Sequence, residues 1–315
     1  MKKIRIGIAG LGGIAQKAYL PVLTKTDNWI LSGGFSPNQE KARPVCDAYR
    51  FSLFPTLHAL AEQCDAVFVH SSTDSHFAVV SELLNAGCHV YVDKPLAATY
   101  EQSEALVSLA DKKQRALMVG FNRRFSPFYL QLRERTAGKA ASVRMDKHRS
   151  NSVGPHDVNF TVTDDYLHIA DTLLWLGRDG QARLKSGSMQ VNEQNQLLYA
   201  EHHLQTAEGA WLTASMHRCA ASQREQVSVT GRDGCYQVTD MNHFRSETAA
   251  GIQEQHPPAW EPVLVQRGFD GAVHHFIDSV ANQTMPSVCG EEALYAQRLT
   301  EKLLAENSET KRCDL

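Results

Sequence analysis

Residues Ile4–Leu20 read IRIGIAGLGGIAQKAYL. A short apolar run meets a glycine cluster, and a stretch with helical spacing follows. The order is strand, tight turn, helix, and it sets Gly10-x-Gly12-x-x-Ala15 at the turn. That context separates a dinucleotide fingerprint from a chance group of glycines. Gly10 permits the sharp turn, Gly12 lets a pyrophosphate approach the backbone, and Ala15 allows close packing of helix on strand. Gly13 and Ile14 complete the candidate cofactor loop. The helix N-terminus beyond it offers free N–H groups and a favourable dipole to phosphate.

The same alternation continues as far as Asn122. Candidate strands are Ile4–Ala9, Trp29–Phe35, Ala66–His70, His89–Val92 and Ala116–Gly120. Most are short apolar runs, as parallel strands covered on both faces require. Helical patterns lie between them at Ser75–Ala86, with Gly87 as a C-terminal cap, and at Tyr100–Lys113. Such alternation gives right-handed βαβ units and a doubly wound parallel sheet. After Arg123 the pattern changes. Helices are expected near Ser126–Thr136 and Asp164–Leu176, then strands at Gln196–Gln205, Ala210–His217, Glu225–Thr230 and Cys235–Thr239. The Asp-Gly in VTGRDGCYQV is a hairpin signal, and TAEGAW marks a second turn. Helices Gly271–Asn282 and Glu291–Ala305 close the chain. The fold class is α/β: a doubly wound domain over 1–122, then an α+β domain with an open, mostly antiparallel sheet over 123–315.

Bulk properties exclude several classes. The formal net charge of -3 leaves no broad basic footprint for nucleic acid. No run of eighteen apolar residues is present, so no membrane span is expected. MKKIRIGIAGLGG begins like a signal peptide, but its short apolar part enters the glycine loop and reads as a first strand. The cysteines (46, 64, 88, 219, 235, 289, 313) form no CxxC pair. They read as reduced thiols of a cytoplasmic protein, not a disulfide frame or zinc site. His202–His203 and His274–His275 are adjacent, and neighbours on a strand point to opposite faces, so no metal is expected.

The second strand ends in GGFSPNQEKAR. An acid here would hold the ribose 2′-hydroxyl of NAD. Ser36 stands in its place, with Lys41 and Arg43 behind it. Without the carboxylate a 2′-phosphate is not repelled, and Lys41 or Arg43 can neutralise it, unless both are merely solvated surface charges. The cofactor expected is NADP(H), favoured over NAD(H).

Ligands of open parallel sheets sit beyond the carboxyl ends of the strands. Three loops meet there: HSSTDSH, DKP and GFNRRF. VYVDKPLAAT puts Lys94 at a strand end, and Pro95 restricts it to extended backbone. A cis Lys94–Pro95 bond is allowed but uncommon. In DDYLHIAD, Asp164, His168 and Asp171 share one helical face, while Leu167, Ala170 and Leu174 face inward. His168 titrates in the range that suits proton exchange. RMDKHRSNSVGPHD, Arg144–Asp157, is basic. Its charges read first as a solvated strand face; the other reading is that Lys147 and Arg149 contact an acidic or phosphorylated substrate.

GIAGLGGIAQ, SSTDSHFAVVSELLNAGCHVYVDKPLA, VGFNRRF, DDYLHIADTLLWL and FIDSVANQTMPSVCGEEAL together resemble the Gfo/Idh/MocA oxidoreductases, and within them the MviM-like branch. The resemblance covers essentially the whole chain. It implies a Rossmann domain, an α/β second domain, and nicotinamide-dependent oxidation or reduction of a sugar- or cyclitol-like hydroxyl or ketone. DKP resembles the family's Glu-Lys-Pro motif, which implies Lys94 as proton relay. Asp164 and His168 match the family's acid and histidine. Ser71, Ser72 and His76 are implied near the diphosphate and ribose, Asp93 and Asn122 near the nicotinamide. The family's glycines before His168 are missing, and Tyr166 fills one such place; it is expected to narrow the pocket or add a hydroxyl contact. A homodimer or homotetramer through the C-terminal sheet is implied. The alternatives are a catalytically silent NAD(P)-binding regulator or scaffold, and an enzyme that holds its cofactor tightly through turnover.

Overall fold

The computed structural model describes residues 3–25, 27–136, 140–178, 180–306 and 311–312. The chain divides into two compact units: Met1–Asn122 with Phe269–Leu294, and Arg123–Gly268 with Tyr295–Leu315.

The first unit holds a six-stranded sheet: β1 (Ile4–Ala9), β2 (Trp29–Phe35), β3 (Ser52–Leu53), β4 (Ala66–Val69), β5 (His89–Val92) and β6 (Leu117–Val119). The order is β3-β2-β1-β4-β5-β6, and every pair is parallel. Ile6, Ile8, Phe68, Val90 and Val92 are fully buried, which is why these strands read as apolar runs. The two-residue β3 escapes sequence reading because no periodicity develops in so short a piece. Helix Tyr100–Lys113 begins where Thr99 Oγ1 accepts from the Gln102 amide (3.3 Å) and ends at Gln114 in the left-handed region. The strand order reverses between β1 and β4, which opens a crevice at their carboxyl ends.

One domain expectation is corrected. Helix Phe269–Asn282, expected in the second domain, belongs to the first unit. Its Phe276 ring lies 5.3 Å from Phe68 and 5.6 Å from Tyr91. The helix carries an apolar stripe, and that stripe completes a core begun 200 residues earlier, roughly; chain order carries no trace of this return.

The second unit holds a nine-stranded sheet: β7 (Ala140–His148), β8 (Arg183–Val191), β9 (Leu197–Gln205), β10 (Trp211–His217), β11 (Arg224–Gly231), β12 (Gly234–Thr239), β13 (His243–Thr248), β14 (Gly251–Gln255) and β15 (Lys311–Arg312). The order is β14-β13-β12-β11-β7-β10-β9-β8-β15. Only β7–β10 and β8–β15 pair in parallel. Strands β8 and β14 are largely polar and exposed, and β13 is polar and mostly half-buried, so no alternation announced them. The β11–β12 hairpin turns on Arg232 and Asp233, with Gly231 opposite Gly234, one residue before the Asp-Gly expected.

Helix Leu167–Gly177 follows a wide π-helical turn, Val162–Tyr166, and packs on β7 and β10. A helix with one inward face was expected. Instead Leu167, Ile169, Ala170, Asp171, Thr172, Leu173 and Leu174 are all buried.

Candidate functional site

The glycine loop lies at the β1 end of the crevice. Gly10 has φ +92°, and a Cβ there would come within 2.5 Å of the His70 carbonyl carbon and the Ser71 nitrogen. Its amide donates to the Phe35 carbonyl (2.8 Å), which ties β1 to β2 at their carboxyl ends. Both the turn and the close approach require glycine. Gly12 and Gly13 differ: an added Cβ meets no protein atom within 4 Å. Protein packing does not demand glycine at either place, whereas a backbone-bound diphosphate does. Ala15, fully buried, begins the helical turn Ala15–Tyr19 that follows the loop. This cradle fits a dinucleotide.

Ser36 is half-buried just past β2, and its carbonyl accepts from Gln39 Nε2 (2.8 Å). Asn38 caps the next helix by accepting from the Lys41 amide (3.0 Å), so Lys41 stands in the first turn with its side chain exposed. Ser71 and Ser72 begin helix Thr73–Asn85, where the Ser75 hydroxyl donates to Ser71 Oγ (2.8 Å).

His76 is placed differently from a residue open to a cofactor. It is 1% exposed, and its ring nitrogens face the carbonyl oxygens of Pro95 (2.8 Å) and Ser71 (3.1 Å). Burial lowers its pKa, against the pull of those carbonyls. It pins the DKP turn to the serine loop. Lys94 is half-buried at the end of β5, its amide bonded to Asp93 Oδ1 (2.9 Å), and Asn122 is buried at the exit of β6. The Lys94–Pro95 bond is cis, the less common form.

Sequence reading missed an aromatic cluster under these loops. Tyr19 and Tyr91 share a hydroxyl hydrogen bond (3.1 Å), and Tyr19 stacks on His70 with ring centroids 3.8 Å apart. His70 is buried with no hydrogen-bond partner on either ring nitrogen among the described residues. Burial, then the nearby His76, drives its pKa down to about 3, so the ring is neutral. A lone histidine at a strand end carries no signal of this.

In the second unit, Asp164 and His168 are half-buried around the π-helical turn. Asp171 is not presented as expected: Arg124 Nη2 donates to its Oδ1 (2.6 Å) and Nε to both oxygens (3.1 Å), with both residues buried. It is half of a structural ion pair. Tyr166 does not narrow a pocket. It is fully buried, its hydroxyl 2.7 Å from His202 Nδ1 and 3.3 Å from the Ala214 carbonyl. Burial lowers the His202 pKa to about 4.

Lys147 is no solvated strand residue either. It is 2% exposed, and its ammonium donates to Asp165. Asp165 also accepts from Arg218 and lies 3.9 Å from Arg149. Burial raises the Asp165 pKa, yet Lys147 and the two arginines hold it well below the ordinary value. Sequence reading passed over Asp165 because its three partners are scattered along the chain.

Residues 4–121 match the family described as "Oxidoreductase family, NAD-binding Rossmann fold", and residues 127–249 match "YceM-like, C-terminal domain". The chain is 55% identical to "Putative oxidoreductase YceM" of Salmonella typhimurium, over 96% of this chain and 98% of that one. The chain belongs to the Gfo/Idh/MocA oxidoreductases. A crystal structure of a dehydrogenase (MviM) from Clostridium difficile superimposes with a TM-score of 0.93 at 38% identity, covering 97% of this chain and 100% of that one. An inositol 2-dehydrogenase/D-chiro-inositol 3-dehydrogenase of Halalkalibacterium halodurans is 26% identical over 90% of this chain and 85% of its own. This is therefore an oxidoreductase of the dehydrogenase/reductase type with an NAD-binding fold. No helix among the described residues is long and apolar enough to cross a membrane.

Proposed function

We propose that the protein transfers a hydride between NADP(H) and a hydroxyl or ketone carbon of a sugar- or cyclitol-like substrate. The observation that carries this reading is the open glycine cradle at Gly12–Gly13, with Lys94 at the carboxyl end of β5 in the same unit. Gly10, Gly12, Gly13, Ile14 and Ala15 hold the diphosphate through backbone N–H groups. Ser36 leaves room for a 2′-phosphate, and Lys41 neutralises it. Ser71, Ser72, Asp93 and Asn122 position the ribose and nicotinamide ends, and His76 acts through the loops it joins. The nicotinamide, when bound, accepts or supplies the hydride. Lys94 takes the substrate's hydroxyl proton in oxidation or returns it in reduction, and His168, one helical turn after Asp164, is the second proton-handling residue of this reading. The polyol class rests on the inositol-directed relative. Against a silent scaffold stands Tyr166: packing in the core absorbs the residue that replaces a family glycine. The assembly proposed is a homodimer or homotetramer through the second unit's sheet, where Trp211 is 45% exposed; light scattering reads it directly.

Fluorescence titration with NADPH and NADH tests the cofactor. Wild type binds NADPH more tightly, and Ser36→Asp lowers the NADPH/NADH preference about tenfold by setting a carboxylate against the phosphate. Lys94→Ala retains nucleotide binding and loses about 10²–10⁴-fold in turnover across a polyol panel. Binding of neither nucleotide ends the proposed NADP(H)-dependent hydride transfer for this chain.

A further inference from the structure

The second unit contains a cavity of about 350 Å³ whose lining is built from charge. Arg123 and Lys147 form its floor, and Arg149, Arg224 and Arg267 stand around it. Two carboxylates, Glu225 and Asp240, are all that oppose these five cations in the lining. Both acids are already engaged. Glu225 accepts from Arg123 Nε (2.8 Å) and Nη2 (2.6 Å) and from the Tyr129 hydroxyl (3.0 Å). Asp240 Oδ1 accepts the Glu225 amide (2.8 Å). Asp165, behind the floor, is shared among Lys147, Arg149 and Arg218.

The sheet itself creates this concentration. Lys147 on β7 lies opposite Glu225 on β11, and the next pair along sets Arg224 beside His148. Lys147 and Arg123 are 2% and 8% exposed, so their charges are not spread into bulk water. Burial and then the charge of Arg123 bring the Lys147 ammonium down to about 8, even with Asp165 in contact. The two floor cations are each matched by a carboxylate, Glu225 and Asp165, so the surplus positive charge of the lining lies on Arg149, Arg224 and Arg267 around the rim. Such a rim, in which guanidiniums outnumber carboxylates above a floor that is already paired, offers N–H donors to an incoming anion.

We propose that this basin is an anion-binding site for the phosphate or carboxylate group of a small substrate. Guanidinium groups suit either anion through paired N–H donors, and the shared chemistry is a compact oxyanion. That the anion belongs to a substrate rests on the oxidoreductase reading; the existence of the basin does not.

The test is calorimetric titration of the full chain, with and without NADPH, using inorganic phosphate, D-glucose 6-phosphate and D-glucuronate. Wild type is expected to bind at least one of them saturably, and the phosphate and glucuronate arms identify the group. Arg149→Gln/Arg224→Gln is expected to weaken that binding about tenfold or more, since each substitution removes a charged donor. NADPH affinity stays unchanged. Should the double variant unfold, Arg224→Gln alone, at an exposed position, carries the same comparison. No anion binding, or equal binding in wild type and variant (an adventitious ion only), overturns the basin. NADPH binding without anion binding removes the basin and leaves the proposed hydride transfer; anion binding without NADPH leaves the basin and removes the proposed NADP(H) chemistry.

Discussion

The glycine loop and the charged basin of the second unit are both suited to negative charge, and they are built by opposite means. The loop uses backbone N–H groups within one strand–turn–helix, and its chemistry depends on what glycine lacks. The basin uses long side chains from the segment before helix Pro127–Arg135, from β7 and β11, and from the β12–β13 turn and the stretch after β14. The first is a local device, and twelve consecutive residues suffice to specify it, roughly. The second exists only once β7 and β11 are in register, because a slip of one residue sends Lys147 to the other face.

The comparison breaks most readily at Glu225. Glu225→Ala leaves Arg123 buried without its carboxylate, and the expected loss is about 3–5 kcal/mol in urea unfolding. A loss below about 1 kcal/mol would mean that the pair is no more than a surface contact. The next effect lies in the loop. Gly10→Ala forces a side chain into a left-handed backbone against the His70 carbonyl, for a loss of about 1–3 kcal/mol. Gly12→Ala leaves the melting temperature within a degree or so of wild type but weakens NADPH by about tenfold. If Gly12→Ala were instead the more destabilising of the two, the cradle would be a packing feature.

Acid separates the two units more gently. His70, with a pKa of about 3 against an ordinary 6.5, resists protonation only when folded. Its contribution is whole above pH 6.5 and declines as the pH falls toward 3. Glu225, held near 2 against an ordinary 4.5 by Arg123 despite burial, contributes fully above 4.5 and loses that as the pH falls toward 2. His202 in the second unit acts over the same range but is lowered less far, to about 4, so amide exchange followed from pH 7 downward is expected to show the first unit losing more protection than the second between pH 6.5 and 4.5. A larger loss in the second unit over that range contradicts the assignment of these groups.

Much of the architecture was legible in the sequence. Residues 4–9, 29–35 and 89–92 read as strands because the runs are short and mostly apolar, with Arg5, Ser32 and His89 as the polar exceptions. Helix Tyr100–Lys113 was legible from its pattern, and the structure adds Thr99 as its N-cap and Gln114 in the left-handed region at its end. Lys94, Asp164 and His168 could be nominated from their motifs, and the loop glycines from their spacing. The departures share one character. Tyr166 bonds His202, Asp171 pairs with Arg124, Lys147 pairs with Asp165, and helix Phe269–Asn282 returns to the first unit.

The sequence by itself determined the doubly wound sheet, the dinucleotide loop and the family, because those depend on short-range spacing and on which residues tolerate a given backbone. Only the tertiary structure decided which charges are buried and what each one faces. The energy of a charge depends on its distance to other charges and to water, and neither distance is a function of separation along the chain.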